Sequence, residues 1–156
     1  MTNYNKIFPV KIYKYYFWLE VNFARLLYNL LLGYKVEGRE NIKDYKDSFL
    51  ILSNHCSNVD PPLIAFSVLR PVAYMAKAEL FKIPLLNKII YWSGAYPVSR
   101  GSKDQSYINN TVKALNSGWV VNIYPEGERT EDGKFKKELK AGAAKILFAS
   151  KVPFLP

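Results

Sequence analysis

The chain has 156 residues, the size of one domain with one core, and at 49% apolar and 22% charged residues it is neither a disordered tail nor a low-complexity segment. One cysteine and one histidine exclude a disulfide framework, a cysteine-ligated zinc site and a two-histidine metal site. The 22 Lys and Arg against 13 Asp and Glu, a net +9, suit an anionic partner, for which nucleic acid and an anionic membrane surface are both candidates.

That charge is unevenly placed. Residues 1–36 carry Lys6, Lys11, Lys14, Arg25 and Lys35 against Glu20, a net +4, and residues 131–151 are +3, whereas the long middle from 37 to 130 is only +2. The N-terminus has no secretory pattern of a short basic region leading into an apolar stretch and a small-residue cleavage site, which implies cytosolic residence of the main body.

The most apolar part of the chain runs from Val10 to Leu32, but Lys11, Lys14, Glu20 and Arg25 interrupt it. No uninterrupted run reaches the about 20 apolar residues of a spanning helix. At helical spacing Ile12, Tyr15, Tyr16, Leu19, Phe23, Leu26, Leu27 and Leu30 form one stripe, and Lys11, Lys14, Asn22, Arg25 and Asn29 form another. A helix packed on its own domain would show such a stripe. The aromatics, the basic polar face and the terminal position favour an amphipathic helix lying in a membrane interface, ended by Gly33.

Beyond residue 35 short apolar runs alternate with helical patterns. Strands are expected at Phe49–Leu52, Val72–Met75, Ala95–Val98 and Trp119–Tyr124, and helices at Leu63–Leu69, Pro84–Trp92, Gln105–Asn116 and Leu139–Ala149. This alternation predicts an α/β fold, a largely parallel central sheet flanked by helices and preceded by the amphipathic helix. The division is residues 1–34 as a membrane-binding helix and 35–156 as the main domain.

Three polar clusters follow predicted strands, where α/β folds usually place their sites. After the first strand comes Ser53-Asn54-His55-Cys56-Ser57-Asn58-Val59-Asp60-Pro61-Pro62. His55 and Asp60 would diverge on one continuous helix, so they meet only if a loop carries His55 and Asp60 starts a helix. Pro61 is a good first helical residue, which would make Asp60 the N-cap; two prolines without N–H groups would leave its carboxylate free for the imidazole. Such a pair makes a general base, although an N-cap beside a loop histidine has the same spacing. The second cluster leads to Arg100 and the third is Pro125-Glu126-Gly127-Glu128-Arg129. Arg100 and Arg129 could each grip a phosphate through paired N–H donors, or be solvated loop residues. Cys56 adjoins His55, but neighbours in an extended loop point in opposite directions, which argues against an acyl-cysteine route.

In order and interval, Asn54-His55-x4-Asp60, Gly94…Arg100 and Pro125-Glu126-Gly127-x-Arg129 together resemble the 1-acyl-sn-glycerol-3-phosphate acyltransferase family. The likeness runs from about Gly38 to the last residue and includes Lys77-Ala78-Glu79-Leu80-Phe81 and Val152-Pro153. It implies acyl transfer from acyl-CoA or an acyl-carrier-protein thioester to lysophosphatidate, giving phosphatidate, with no cofactor and no metal. On that resemblance His55 is the base, Asp60 orients it, and Arg100, Glu126, Gly127 and Arg129 bind the glycerol phosphate. It also implies a membrane-associated protein at the cytoplasmic face, with the membrane surface and lysophosphatidate as partners and no nucleic acid; the aromatics lie on the apolar helix and not among the basic residues. Glycerol 3-phosphate or another lysophospholipid is the alternative acceptor, and a non-catalytic membrane-binding fragment the alternative role. Glu128 replaces the family's usual small residue, Tyr96-Pro97-Val98-Ser99 departs from its second block, and Pro156 falls inside its fourth, so the chain reads as shortened.

Overall fold

The computed structural model describes residues 10–42, 45–99, 105–130, 132, 134, 136 and 138–156, with the side chains of 10–14 and Leu32 left aside. In chain order the elements are helix α1 (Val10–Leu32), strand β1 (Leu50–Leu52), helix α2 (Asp60–Val68), strand β2 (Val72–Lys77), helix α3 (Leu86–Trp92), strand β3 (Ala95–Val98), helix α4 (Ser106–Asn116), strand β4 (Val120–Ile123), helix α5 (Gly142–Ser150) and strand β5 (Phe154–Leu155). Two short 3-10 helices lie at Arg39–Ile42 and Ala78–Lys82. The expected strands and helices are present within a few residues. The exception is the edge strand β5, too short to leave a periodic signal, which is held beside β1 by the bond from Leu50 N–H to Pro153 O (3.0 Å).

All five strands are parallel, in the order β3-β2-β4-β1-β5. Strand alternation divides the core in two, because successive side chains leave opposite faces of a sheet. Ile51, Val72, Tyr74 and Val120 pack with Phe66 of α2 and with Phe17 and Val21 of α1. Leu50, Ala73, Val121 and Ile123 pack with Ala114 and Leu115 of α4 and Ile146 of α5. Helices therefore cover both faces, which is why the strands read as continuous apolar runs.

Helix α1 packs on the domain along one side. It docks through Phe17 (1% exposed) and Val21, with Tyr28 stacked on Phe66 at 5.8 Å. The stripe read from the sequence points mostly outward: Tyr15, Leu19, Phe23, Leu26 and Leu30 are exposed, Leu30 by 74%. The helix is apolar on more than one side: Phe17, Val21 and Tyr28 pack on the domain, while the stripe expected at a membrane interface stays exposed. Among the described residues no helix is long and apolar enough to cross a membrane.

Gly94 shows why a glycine stands before β3. Its φ is +90°, and a Cβ there would come within 2.8 Å of Val72 O and 2.9 Å of the Trp119 ring. The turn from α3 into β3 closes directly on the sheet and the buried indole, and only glycine fits.

Candidate active site

Strands β1 and β4 are neighbours in register, Leu52 opposite Ile123, so the segments that follow them leave the sheet side by side. The first leads to α2 on one face and the second to α5 on the other. Adjacent strands whose connections part to opposite faces open a crevice at their carboxyl ends, and His55 and Tyr124 sit in it.

The loop after β1 carries His55, and Asp60 opens α2. Asp60 is the first helical residue and not the cap, which is Val59 and makes no side-chain cap bond. Its carboxylate turns back over the loop: Oδ2 accepts hydrogen bonds from the N–H groups of Cys56 and Ser57, both at 2.8 Å, and lies 2.8 Å from His55 Nδ1. The prolines keep the first turn of α2 from competing for that oxygen. Burial pushes the Asp60 carboxyl up, but the bonds from Ser57, His55 and Cys56 outweigh it and hold the group below the usual carboxylate value. An ionised carboxylate only accepts, so Nδ1 carries the imidazole proton and Nε2 presents its lone pair.

The segment after β4 holds the histidine from the other side. His55 N–H donates to Glu126 Oε2 (3.1 Å), and His55 C=O accepts from Thr130 N–H (2.8 Å). Glu126 is 2% exposed, and its other oxygen, Oε1, has no hydrogen-bond partner among the described residues. Glu126, expected at the glycerol phosphate, holds the backbone of the histidine loop through Oε2. Spacing could not have revealed it, because the bond spans 71 positions. Gly127 turns the chain at φ +76°, its N–H on Tyr124 O (3.0 Å), and the stem of Lys140 lies where a Cβ would be.

Tyr124, the first residue past β4, lies flat beneath the imidazole with ring centroids 3.9 Å apart and planes 15° from parallel. Burial, with Asp60 adding to it and Asn122 opposing it, pushes its phenol well up, so the ring stays neutral. Reading Tyr124 only as the end of a strand missed this contact.

Below these residues lies a cavity of about 1120 Å³. His55, Lys77, Arg129 and Thr130 line one part, and Phe17, Val21, Leu86 and Ile90 from α1 and α3 line another. Arg129 and Lys77 are exposed, and Lys77, at the end of β2, was quoted in the sequence only as part of a motif. Glu128, the unexpected acid beside Arg129, forms an ion pair with Lys136 at 2.6 Å, which offsets its charge. Arg100 lies outside the described residues. Cys56 is exposed and also lines the cavity; its sulfur lies 3.2 Å from Asn54 Nδ2 and 3.7 Å from Thr130 Oγ1. Within the apolar part, Glu20 of α1 lies with Oε1 2.9 Å from Ser93 Oγ. Burial raises its carboxyl above the usual range against the opposing effect of that bond.

A carboxylate-oriented histidine at the head of a part-charged, part-apolar cavity, on a parallel α/β sheet, is an arrangement that could act as a general base toward a molecule with polar and apolar parts. Residues 33–156 match the pattern of the family described as Acyltransferase, and the chain belongs to that family. It is 32% identical over 136 residues to the 1-acyl-sn-glycerol-3-phosphate acyltransferase of Bacillus subtilis (strain 168), covering 86% of this chain and 66% of that protein. It is 28% identical to the enzyme of the same name from Borreliella burgdorferi, covering 78% of this chain and 48% of that one. The crystal structure of the 1-acyl-sn-glycerophosphate (LPA) acyltransferase from Thermotoga maritima superposes with a TM-score of 0.74 at 30% identity, over 92% of this chain and 57% of that one. The chain thus spans about half to two thirds of the length of these relatives.

Proposed function

We propose that this protein transfers a fatty acyl group from an acyl thioester, on coenzyme A or acyl carrier protein, to the free hydroxyl of lysophosphatidate, forming phosphatidate at a membrane surface. The observation that carries this reading is the 2.8 Å contact between His55 Nδ1 and Asp60, which leaves Nε2 free at the head of a cavity with cationic side chains and an apolar interior. The names of the Bacillus subtilis and Borreliella burgdorferi relatives support the same acceptor.

In this reading His55 Nε2 takes the proton of the acceptor hydroxyl as its oxygen attacks the thioester carbonyl carbon. The Asp60 carboxylate stabilises the imidazolium that forms. When the tetrahedral intermediate collapses the C–S bond breaks, and the thiolate takes the proton back from Nε2 and leaves as the free thiol. A thioester is activated enough that positioning and one base suffice. Arg129, Lys77 and, by the family resemblance, Arg100 and Gly127 hold the phosphate, while the side chains of α1 and α3 accommodate the hydrocarbon. In this reading α1 lies against the bilayer at the cytoplasmic face and residues 1–34 anchor the domain 35–156, which the exposed apolar residues of α1 support.

The test is an assay of the chain with 1-oleoyl lysophosphatidate and radiolabelled acyl-CoA or acyl carrier protein. His55→Ala should lose about 10²–10⁴-fold in turnover, the usual worth of a positioned base, and Asp60→Asn a comparable amount, with the double variant hardly worse than either. Cys56→Ser should stay active. If His55→Ala keeps its activity while Cys56→Ser is dead, the base mechanism is wrong. Faster acylation of glycerol 3-phosphate or another lysophospholipid would reassign the acceptor, and binding to vesicles without turnover of any acceptor would reduce the chain to a membrane-binding module.

A further inference from the structure

His55 is held at four points, and three have plain electrostatic roles: Asp60 on Nδ1, Glu126 on the N–H and Thr130 on the C=O. The fourth is the Tyr124 ring, parallel to the imidazole at 3.9 Å and 15°. Two neutral aromatic rings prefer an edge-to-face or widely offset arrangement, because their like-charged faces repel. Close parallel stacking is favourable when one ring carries positive charge, since the negative face of the other then attracts it. General-base chemistry puts that charge on the imidazole.

The phenol hydroxyl contributes little to this arrangement. It is buried beside Asn122, makes no well-formed hydrogen bond among the described residues, and stays protonated. The ring is also firmly placed. Tyr124 directly continues the buried strand β4, and its carbonyl accepts the Gly127 N–H that closes the next turn. Asp60 constrains the imidazole at one nitrogen but leaves it free to rock about that contact, and a ring against its face removes this freedom.

From this geometry we infer that Tyr124 is a positioning residue for the proposed acyl transfer, its ring face holding the His55 imidazole in plane and stabilising the positive charge that ring gains on accepting the hydroxyl proton. The inference rests on the reading of His55 as the base. The charge exists only as the proton is transferred, so the contact acts on turnover and not on substrate affinity.

The experiment compares the wild type with Tyr124→Phe, Tyr124→Leu and Tyr124→pentafluorophenylalanine in the full chain, with oleoyl lysophosphatidate and acyl-CoA. The chain's single histidine makes its imidazole C–H signals unambiguous in a proton NMR spectrum. Ring-current displacement should appear in the wild type and Tyr124→Phe and vanish in Tyr124→Leu. Tyr124→Phe should match the wild type, whereas Tyr124→Leu should lose roughly five- to thirty-fold in kcat with KM for both substrates within about twofold. The pentafluoro ring keeps the shape and reverses the charge of the face, so it should lose a similar factor relative to Tyr124→Phe even if the leucine variant folds poorly. Equal kcat for the two phenylalanine-type variants, or a Tyr124→Phe loss as large as that of Tyr124→Leu, would overturn the inference. His55→Ala run alongside separates the two claims: if it retains activity the base reading itself fails, and if it is inactive while every Tyr124 variant is normal, only the role of Tyr124 falls.

Discussion

Glu126→Ala separates two roles for this acid, substrate ligand or support for the histidine loop. In the structure Glu126 is almost fully buried, and Oε2 accepts the His55 N–H at 3.1 Å. Removing it leaves that N–H without its acceptor, which costs about 1–3 kcal/mol for a buried donor. A chain of this length loses about 2–4 °C in Tm per kcal/mol, so a fall of roughly 2–12 °C should appear in a thermal melt. The larger effect is on chemistry, because the His55 backbone sets where Nε2 sits and a shift of about 1 Å can cost about 10²-fold in turnover. Steady-state kinetics should therefore show kcat down by about that factor while KM for lysophosphatidate stays within about twofold. Glu126→Gln keeps one acceptor oxygen and should fall between the wild type and Glu126→Ala. A KM raised tens-fold with kcat and Tm unchanged would refute the reasoning and return Glu126 to the phosphate site.

Gly94→Ala forces a Cβ against Val72 O and the Trp119 ring at a positive φ; a loss of at least about 1–3 kcal/mol is expected, seen as a lower urea midpoint, and an unchanged midpoint would show that the turn can relax. The hydrogen bonds that lower Asp60 in the folded state contribute stability that is fully present above the unfolded carboxyl value near ~3.9 and is lost as pH falls through the lower folded value. Asp60→Asn should accordingly flatten the acid limb of the stability curve below about pH 4, and a parallel curve would remove Asp60 from that linkage. Replacing exposed Leu19, Phe23 and Leu30 of α1 together with serine should weaken co-sedimentation with anionic vesicles by more than about tenfold while leaving the melt unchanged, since each large apolar side chain buried contributes about 1.5–3 kcal/mol. Undiminished vesicle binding would place the membrane contact elsewhere.

Alternating apolar runs and helical patterns were enough to read a parallel α/β sheet, because strands buried on both faces are apolar throughout and need helical crossovers. The positions of His55, Asp60 and the Glu126-Gly127-x-Arg129 turn at strand ends followed from the same pattern, and Gly33 marked the end of α1, where it takes φ +58°. Local sequence allowed His55 and Asp60 to meet but fitted a plain N-cap beside a loop histidine equally, and the pair was drawn from the family resemblance; the two lie 2.8 Å apart. The cap position differs: Val59 and not Asp60 precedes the helix, and the N–H groups of Cys56 and Ser57 also hold the Asp60 carboxylate.

What local pattern could not supply is contact across long sequence separations. The strand order sets β1 beside β4, and only that neighbourhood puts Glu126, Thr130 and Tyr124 around His55, some seventy positions away. The same holds for α1, whose period was legible but whose several apolar sides left open which one the core would take. Phe17 and Val21 were chosen because they meet the sheet and α2, and the stripe that stood out in the sequence was left exposed. Periodicity is a property of one element, whereas the face that is buried and the charge that is paired depend on which other elements the fold brings within a few ångströms.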